Sequence, residues 1–229
     1  DIAVYRLENK AVRGAGRFET QGIGLNRPLR ESMNAAWQYF QNNAKRVMAL
    51  AMEPDTGRIL AVAIQPSMDL NDPPRGELDA LQDGMRIQAI SDVYEPGSTF
   101  KVITAAAALD TGVTNPSEGF YCSGSIIVDG DRIRCWKNSH GSETMREALM
   151  NSCNPVFTEL ALRVGTDRLY QYFSAFGLGR KTGVDLPGES AGLLIARKYV
   201  KNVDLARIGF GQSVALTPIQ MMMAANSVI

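Results

Sequence analysis

Apolar positions recur with two different periods along these 229 residues, and the switches between them mark out the elements. From Pro28 to about Asn42, the positions Leu29, Met33, Ala36, Trp37 and Phe40 follow helical spacing, which predicts an amphipathic helix packed on a sheet. Val47 to Met52 and Ile59 to Ile64 are short unbroken apolar runs joined by Glu53-Pro54-Asp55-Thr56-Gly57-Arg58. They predict an antiparallel hairpin, and their lack of polar alternation predicts helices over both faces. Gln65 to Asp92 is rich in turn formers, with Pro66, Pro73-Pro74, Gly76 and Gly84, and leads into Glu95-Pro96-Gly97-Ser98-Thr99-Phe100-Lys101. Behind that turn, Val102 to Leu109 is almost wholly apolar and ends near Gly112. A helix with no polar side after its first turn belongs inside a domain.

Thr114 to Gly141 reads as a loop with small strands, including a hairpin that turns at Asp129-Gly130-Asp131. Thr144-Met145-Arg146-Glu147 fits a capping box, predicting a short helix to about Met150. Ser152-Cys153-Asn154-Pro155 breaks it, and Pro155 suits the start of a following helix with Val156, Phe157, Leu160, Ala161 and Val164 inward. Thr166 is placed to cap another, burying Leu169, Tyr172, Phe173 and Phe176 and ending at Gly177 and Gly179. Gly183 to Gly188 and Gly192 are loop. Thr217-Pro218 opens a last helix that runs uncapped to Ile229. Only two convincing core strands emerge, fewer than a helix-covered sheet normally has, so an α/β (α+β) domain incomplete on its C-terminal side is expected. Residues 1–24 carry charge and four glycines without a firm period and read as a linker or the remnant of another domain, with the main domain over residues 25–229.

Composition narrows the function. The chain is 45% hydrophobic, with 24 basic and 24 acidic residues and a formal net charge of zero, so it lacks the basic excess of a nucleic-acid binder. No apolar stretch approaches the ~20 residues of a membrane span, and residues 1–20 hold no signal-peptide core. Cys122 and Cys135 flank the small hairpin. A disulfide across it in an oxidising compartment and two unpaired thiols both stay open. No metal site is expected, because Cys122, Cys135 and Cys153 form no CxxC pair and the single His140 sits in a polar loop.

Two clusters carry chemistry. Ser98 and Lys101, three residues apart on a buried helix, share a face. They can form a nucleophile with its own base, at a helix N-terminus whose N–H groups favour a developing oxyanion. Burial supplies the lowered pKa a lysine base needs. Ser152 and Asn154 sit in a turn between helices that can present a hydroxyl and an amide to a cleft. Ser152 would pass a proton toward the leaving nitrogen and Asn154 would hydrogen-bond a substrate amide. The alternative is that both merely satisfy helix-end donors.

Four segments resemble class B penicillin-binding proteins in order and spacing. They are Glu95 to Lys101, Ser152-Cys153-Asn154-Pro155-Val156-Phe157, Thr182-Gly183-Val184-Asp185-Leu186-Pro187-Gly188-Glu189, and Gly211-Gln212-Ser213-Val214-Ala215-Leu216-Thr217-Pro218-Ile219-Gln220. The resemblance runs from about Leu25 to the last residue, and Cys122 to Trp136 with His140-Gly141 is most similar to the sporulation-type branch. It implies the penicillin-binding protein/β-lactamase-like transpeptidase fold and a serine D,D-transpeptidase that cross-links peptidoglycan stem peptides. Ser98, Lys101 and Ser152 would be catalytic and Asn154 substrate-binding. The same motifs fit a D,D-carboxypeptidase or β-lactamase-like hydrolase, and also a non-catalytic β-lactam sensor or scaffold. The resemblance further implies acylation by β-lactams, no cofactor, a membrane glycosyltransferase partner, and a place on the outer face of the bacterial cell membrane, anchored by a segment absent from this chain. Lys181-Thr182-Gly183 spells the family's third motif but precedes the Gly211 region instead of following it. It reads as a structural turn, with the true motif expected beyond Ile229.

Overall fold

The computed structural model describes residues 47–65, 68, 69 and 71–228. The expected helix from Pro28 to Asn42 and the expected linker over residues 1–24 lie outside the described residues. The described chain divides into two units, the larger formed by residues 93–184, 191–216 and 223–229.

In the smaller unit, β1 (Val47–Met52) and β2 (Ile59–Gln65) pair antiparallel from Val47 opposite Gln65, with an irregularity between Ala51 and Met52. The connecting turn is closed by the Glu53 N–H on the Arg58 carbonyl (2.8 Å) and by the Arg58–Glu53 ion pair (3.2 Å). Ala49, Leu50, Ala51 and Met52 are all buried, so both faces of β1 are covered, as its unbroken apolar run requires. In β2 only Leu60 and Ala61 are buried among its described side chains, and Val62 to Ile64 are half-buried. α1 (Leu78–Met85) and α2 (Gln88–Ser91) follow, with Ala89 and Ile90 of α2 fully buried.

The larger unit is built on the turn of 3-10 helix Gly97–Phe100 and on α3 (Lys101–Asp110). The single helix expected from Ser98 is therefore two elements, the first wound more tightly. Phe100, Ile103, Thr104, Ala107 and Ala108 are completely buried. β3 (Gly119–Cys122), β4 (Ser125–Val128), β5 (Asp131–Arg134) and β6 (Gly141–Thr144) come next. β4 and β5 pair as the expected hairpin, whose two-residue turn has positive φ at both Asp129 (49°) and Gly130 (91°), the geometry that matches strand twist. β3 pairs with β6. Among the described residues the strands form four separate antiparallel pairs instead of one sheet. Those after β2 are only two to four residues long, too short to build one.

Thr144 caps α4 (Met145–Met150) as predicted: its Oγ1 accepts from the Glu147 N–H, and Glu147 Oε2 accepts from the Thr144 N–H at 2.7 Å. Cys153 then precedes α5 (Asn154–Val164), with Pro155 in its first turn. The expectation that Thr166 caps the next helix is corrected. α6 (Thr166–Ala175) starts from Gly165, whose φ of 81° both ends α5 and opens α6, so Thr166 is already helical and makes no capping bond. Leu169 and Phe173 are buried, while Tyr172 and Phe176 are half-buried. β7 (Leu193–Leu194) pairs with β8 (Val214–Ala215), and α7 (Asn202–Ile208) lies between them in sequence. The last helix, α8 (Pro218–Asn226), closes at Asn226 in a turn and does not run to the end.

Small residues let α3, α5 and α7 approach closely. A Cβ on Gly209 would lie 2.5 Å from the Phe157 carbonyl oxygen and 2.7 Å from the Ala161 Cβ. Thr104 Oγ1 donates to the Gly209 carbonyl (2.9 Å), so its buried hydroxyl is satisfied. Phe100 and Phe173 meet edge to face with centroids 5.5 Å apart, extending the contact to α6.

Candidate active site

The turn carrying Ser98 is pinned from the far end of the larger unit. Tyr94 and Leu216 exchange two backbone bonds of 3.0 Å, Glu95 Oε1 accepts from the Ser213 N–H (2.8 Å), and the Gly97 N–H donates to the Gly211 carbonyl (2.9 Å). Gly211 has φ 82°, and a Cβ there would sit 2.1 Å from the Gly97 oxygen and 2.7 Å from the Phe100 Cβ. Steric overlap with backbone and a left-handed conformation both require glycine. Gly211→Ala should destabilise the fold by on the order of 3 kcal/mol, read as a melting temperature about 10 °C lower. A melting point within ~2 °C of the parent would show that the two segments are not held this tightly.

This clamp leaves Ser98 exposed at the tip and turns Lys101 inward, where only 1% of its surface meets solvent. Lys101 Nζ donates to Ser98 Oγ (3.1 Å), Ser152 Oγ (2.9 Å), the Ser152 carbonyl (2.7 Å) and Asn154 Oδ1 (2.7 Å), and Ser152 Oγ donates to Ser98 Oγ (2.9 Å). The four residues named from sequence thus form one network. Ser152 is held in the left-handed region (φ 53°), uncommon for a residue with a side chain. That turn aims its hydroxyl and its carbonyl at the same amine. Asn154 Nδ2 meanwhile donates to the Arg134 carbonyl (3.1 Å), tying the site to the end of β5. The reading in which Ser152 and Asn154 only cap a helix fails, since α5 has no side-chain cap.

Four oxygens face Nζ, and an ammonium has three protons. Two of those oxygens, the Ser152 carbonyl and Asn154 Oδ1, can only accept, and both are at the shorter distance. A neutral amine that spends its two N–H bonds on them points its lone pair at the two hydroxyls. Burial pulls the Lys101 pKa down from 10.5 to about 8, so this neutral form is accessible near neutral pH. Such an arrangement can accept the proton of Ser98 as its oxygen attacks a carbonyl carbon, and hand it on through Ser152.

Other sequence expectations resolve separately. Lys181-Thr182-Gly183 lies in an irregular segment after α6, with Lys181 exposed and outside any strand. Cys122 and Cys135 are both free thiols, so the disulfide between them is not formed. The cysteine spacing and the polar loop around His140 predict no metal site; in the fold, one ligand atom from each of Cys122, Cys135, His140 and Cys153 falls within 4.8 Å of all the others. The clamp at Gly211 and Glu95 and the tie from Asn154 to Arg134 were not legible beforehand, because a backbone partner leaves no mark on residue type.

This geometry can support acyl transfer to Ser98. The family described as "Penicillin binding protein transpeptidase domain" matches residues 47–229, and the chain belongs to that family. It is 40% identical over 202 residues to stage V sporulation protein D of Bacillus subtilis, covering 87% of this chain and 30% of that protein. Peptidoglycan D,D-transpeptidase MrdA of Acinetobacter baumannii is 34% identical over 201 residues, 79% of this chain and 30% of the relative. The crystal structure of penicillin-binding protein 3 from Mycobacterium tuberculosis, complexed with aztreonam, superposes with a TM-score of 0.74 at 30% identity, over 86% of this chain and 44% of that one. The chain spans about 30% of the length of these curated relatives.

Proposed function

We propose that the protein is a serine D,D-transpeptidase of peptidoglycan synthesis, and that residues 25–229 belong to its transpeptidase domain, with residues 1–24 a linker or the remnant of a preceding one. Ser98 Oγ attacks the carbonyl of the penultimate D-alanine of a stem peptide ending in D-Ala-D-Ala. The C–N bond breaks, the terminal D-alanine leaves as an amine, and an ester to Ser98 remains. Lys101 takes the Ser98 proton, and Ser152 carries it to the leaving nitrogen. An amine from a neighbouring stem then displaces the ester, forming the cross-link and regenerating the Ser98 hydroxyl. Asn154 binds the substrate amide when Nδ2 exchanges the Arg134 carbonyl for it. The single observation that carries this reading is the convergence of Ser98 Oγ, Ser152 Oγ and Asn154 Oδ1 on the buried Lys101 Nζ.

β-Lactams acylate Ser98 in the same reading. The protein works at the outer face of the cell membrane beside a glycosyltransferase that supplies glycan strands. No helix among the described residues is long and apolar enough to cross a membrane. The test is a synthetic pentapeptide ending in D-Ala-D-Ala, incubated with the protein with and without a labelled D-amino acid as acceptor. Release of D-alanine together with labelled peptide supports transpeptidation. Release of D-alanine with water as sole acceptor makes it a carboxypeptidase, and no release in either arm removes the enzymatic reading.

Ser152 provides a narrower check. Ser152→Ala keeps the strained backbone and Ser152→Gly relaxes it, yet both delete the hydroxyl. Both should lower the rate of penicillin acylation by about 10²-fold or more. The glycine variant should melt at the higher temperature of the two. A glycine variant acylated at the parent rate would show that the hydroxyl moves no proton.

A further inference from the structure

Cys122 ends β3, Cys135 follows β5, His140 precedes β6, and Cys153 stands at the start of α5, so four separate elements deliver three thiols and an imidazole to one place. Their ligand atoms all lie within 4.8 Å of one another, and Cys135 Sγ is 3.6 Å from His140 Nδ1. The backbone supports the gathering. Cys122 pairs with Gly141 across β3 and β6, its carbonyl accepts from Ser139 Oγ at 2.6 Å, and the Cys135 N–H donates to the Gly124 carbonyl at 2.9 Å.

We propose that Cys122, Cys135, His140 and Cys153 form a tetrahedral Zn²⁺ site. A disulfide would use two thiols and leave a third beside an unused imidazole. A metal ion uses all four groups, and three sulfurs with one nitrogen is a donor set of closed structural zinc sites. With Zn–S bonds of ~2.3 Å the sulfurs of such a tetrahedron stand about 3.7 Å apart, so the ligands need close by only about 1 Å. The second observation is independent of the spacing. His140 Nε2 and Glu143 Oε1 are buried and have no hydrogen-bond partner, on side chains with 4% and 2% of their surface exposed. Orphaned polar atoms at such depth are costly unless something binds there. Glu143 Oε1 lies 4.0 Å from His140 Nδ1, where a carboxylate can orient the ring and carry charge complementary to a cation. Binding is balanced by proton release: Zn²⁺ displaces one proton from each of the three thiols and takes neutral His140 as its fourth ligand.

The site bears on the active site through the chain itself. Cys153 is flanked by Ser152 and Asn154, both of which hold Lys101 Nζ. A metal bonded to Cys153 therefore braces the strained turn, and removing it loosens both walls of the nucleophile's network.

The protein purified under reducing conditions without chelator should contain one zinc per chain by elemental analysis. With Co²⁺ as the probe it should show thiolate-to-metal charge transfer and the intense d–d bands of tetrahedral coordination. A mercurial that titrates the thiols should release the metal, a readout that needs no variant. Cys135→Ser and His140→Ala, with the fold checked by circular dichroism, should bind Co²⁺ at least about tenfold more weakly and change its spectrum. Metal content below a tenth of an equivalent after incubation with Zn²⁺ overturns the site. So does a disulfide between any two of the three cysteines in protein purified with zinc present, and so does a Co²⁺ spectrum that Cys135→Ser leaves unchanged.

Discussion

Ser98→Ala protein is expected to form no covalent adduct with a fluorescent penicillin, while the parent is labelled to one adduct per chain. In the proposed reaction the acyl-enzyme is an ester to Ser98 Oγ, so deleting that atom removes the bond itself and not merely a contribution to its rate. Knocking out a serine nucleophile costs on the order of 10⁶ in turnover. The structure separates this loss from unfolding. Ser98 is exposed, and Lys101 keeps three other acceptors when Ser98 Oγ is gone. The melting temperature should therefore stay within about 2 °C of the parent, as for an ordinary surface substitution. Intact-mass spectrometry reads the adduct directly, and circular dichroism reads the fold in the same samples. An adduct that survives the substitution sinks the nucleophile assignment, and a labelled peptide containing Ser152 would name its replacement.

The legible parts of this chain were those in which side-chain type determines the outcome. The hairpin of Val47 to Met52 and Ile59 to Gln65, the Thr144 cap and the Asp129-Gly130 turn follow from apolar runs, a capping pair and residues that tolerate positive φ. Ser98, Lys101, Ser152 and Asn154 were legible as a set only because their motifs recur in a known family. Spacing alone left Ser152 and Asn154 as helix-end residues. What stayed hidden depends on pairing between distant backbones or on tertiary convergence. Gly165 took the cap expected of Thr166 because one left-handed residue could serve two helices. Cys153 lies 18 positions from Cys135 and within a different motif, so no local pattern joins it to His140 and Cys122. Only the folding of β3, β5 and β6 against the start of α5 does so.

Acylation by penicillin should rise with pH through about 8 and level off above it, because in the proposed mechanism the reactive form is the neutral Lys101 amine. Burial lowers this lysine's pKa from 10.5 to about 8, so its neutral fraction falls to about a tenth at pH 7 and about a hundredth at pH 6. The rate should follow that fraction. Lys101→Met removes the base and should cost about 10²–10⁴-fold at every pH, leaving a flat profile. Lys101→Arg tests charge against basicity. A guanidinium keeps the positive charge at the Ser152 and Asn154 acceptors but cannot be neutral in this range, so it too should be slow and flat. The same titration appears in stability with a sign that can be worked out. The folded pKa lies below the unfolded one, so between about 8 and 10.5 the unfolded chain holds the proton that the folded chain has lost. Stability contributed by this group should therefore increase with pH across that window, and be lowest below pH 8 where the buried amine is charged. The difference in melting temperature between the parent and Lys101→Met, followed from pH 7 to pH 10, isolates the effect from other titrating groups. A parent acylation rate that is independent of pH between 6 and 9 would show that Lys101 does not take the proton from Ser98. The hydrogen bonds to Ser152 and Asn154 would then hold a permanent ammonium, whose role is to stabilise charge developing on the serine oxygen.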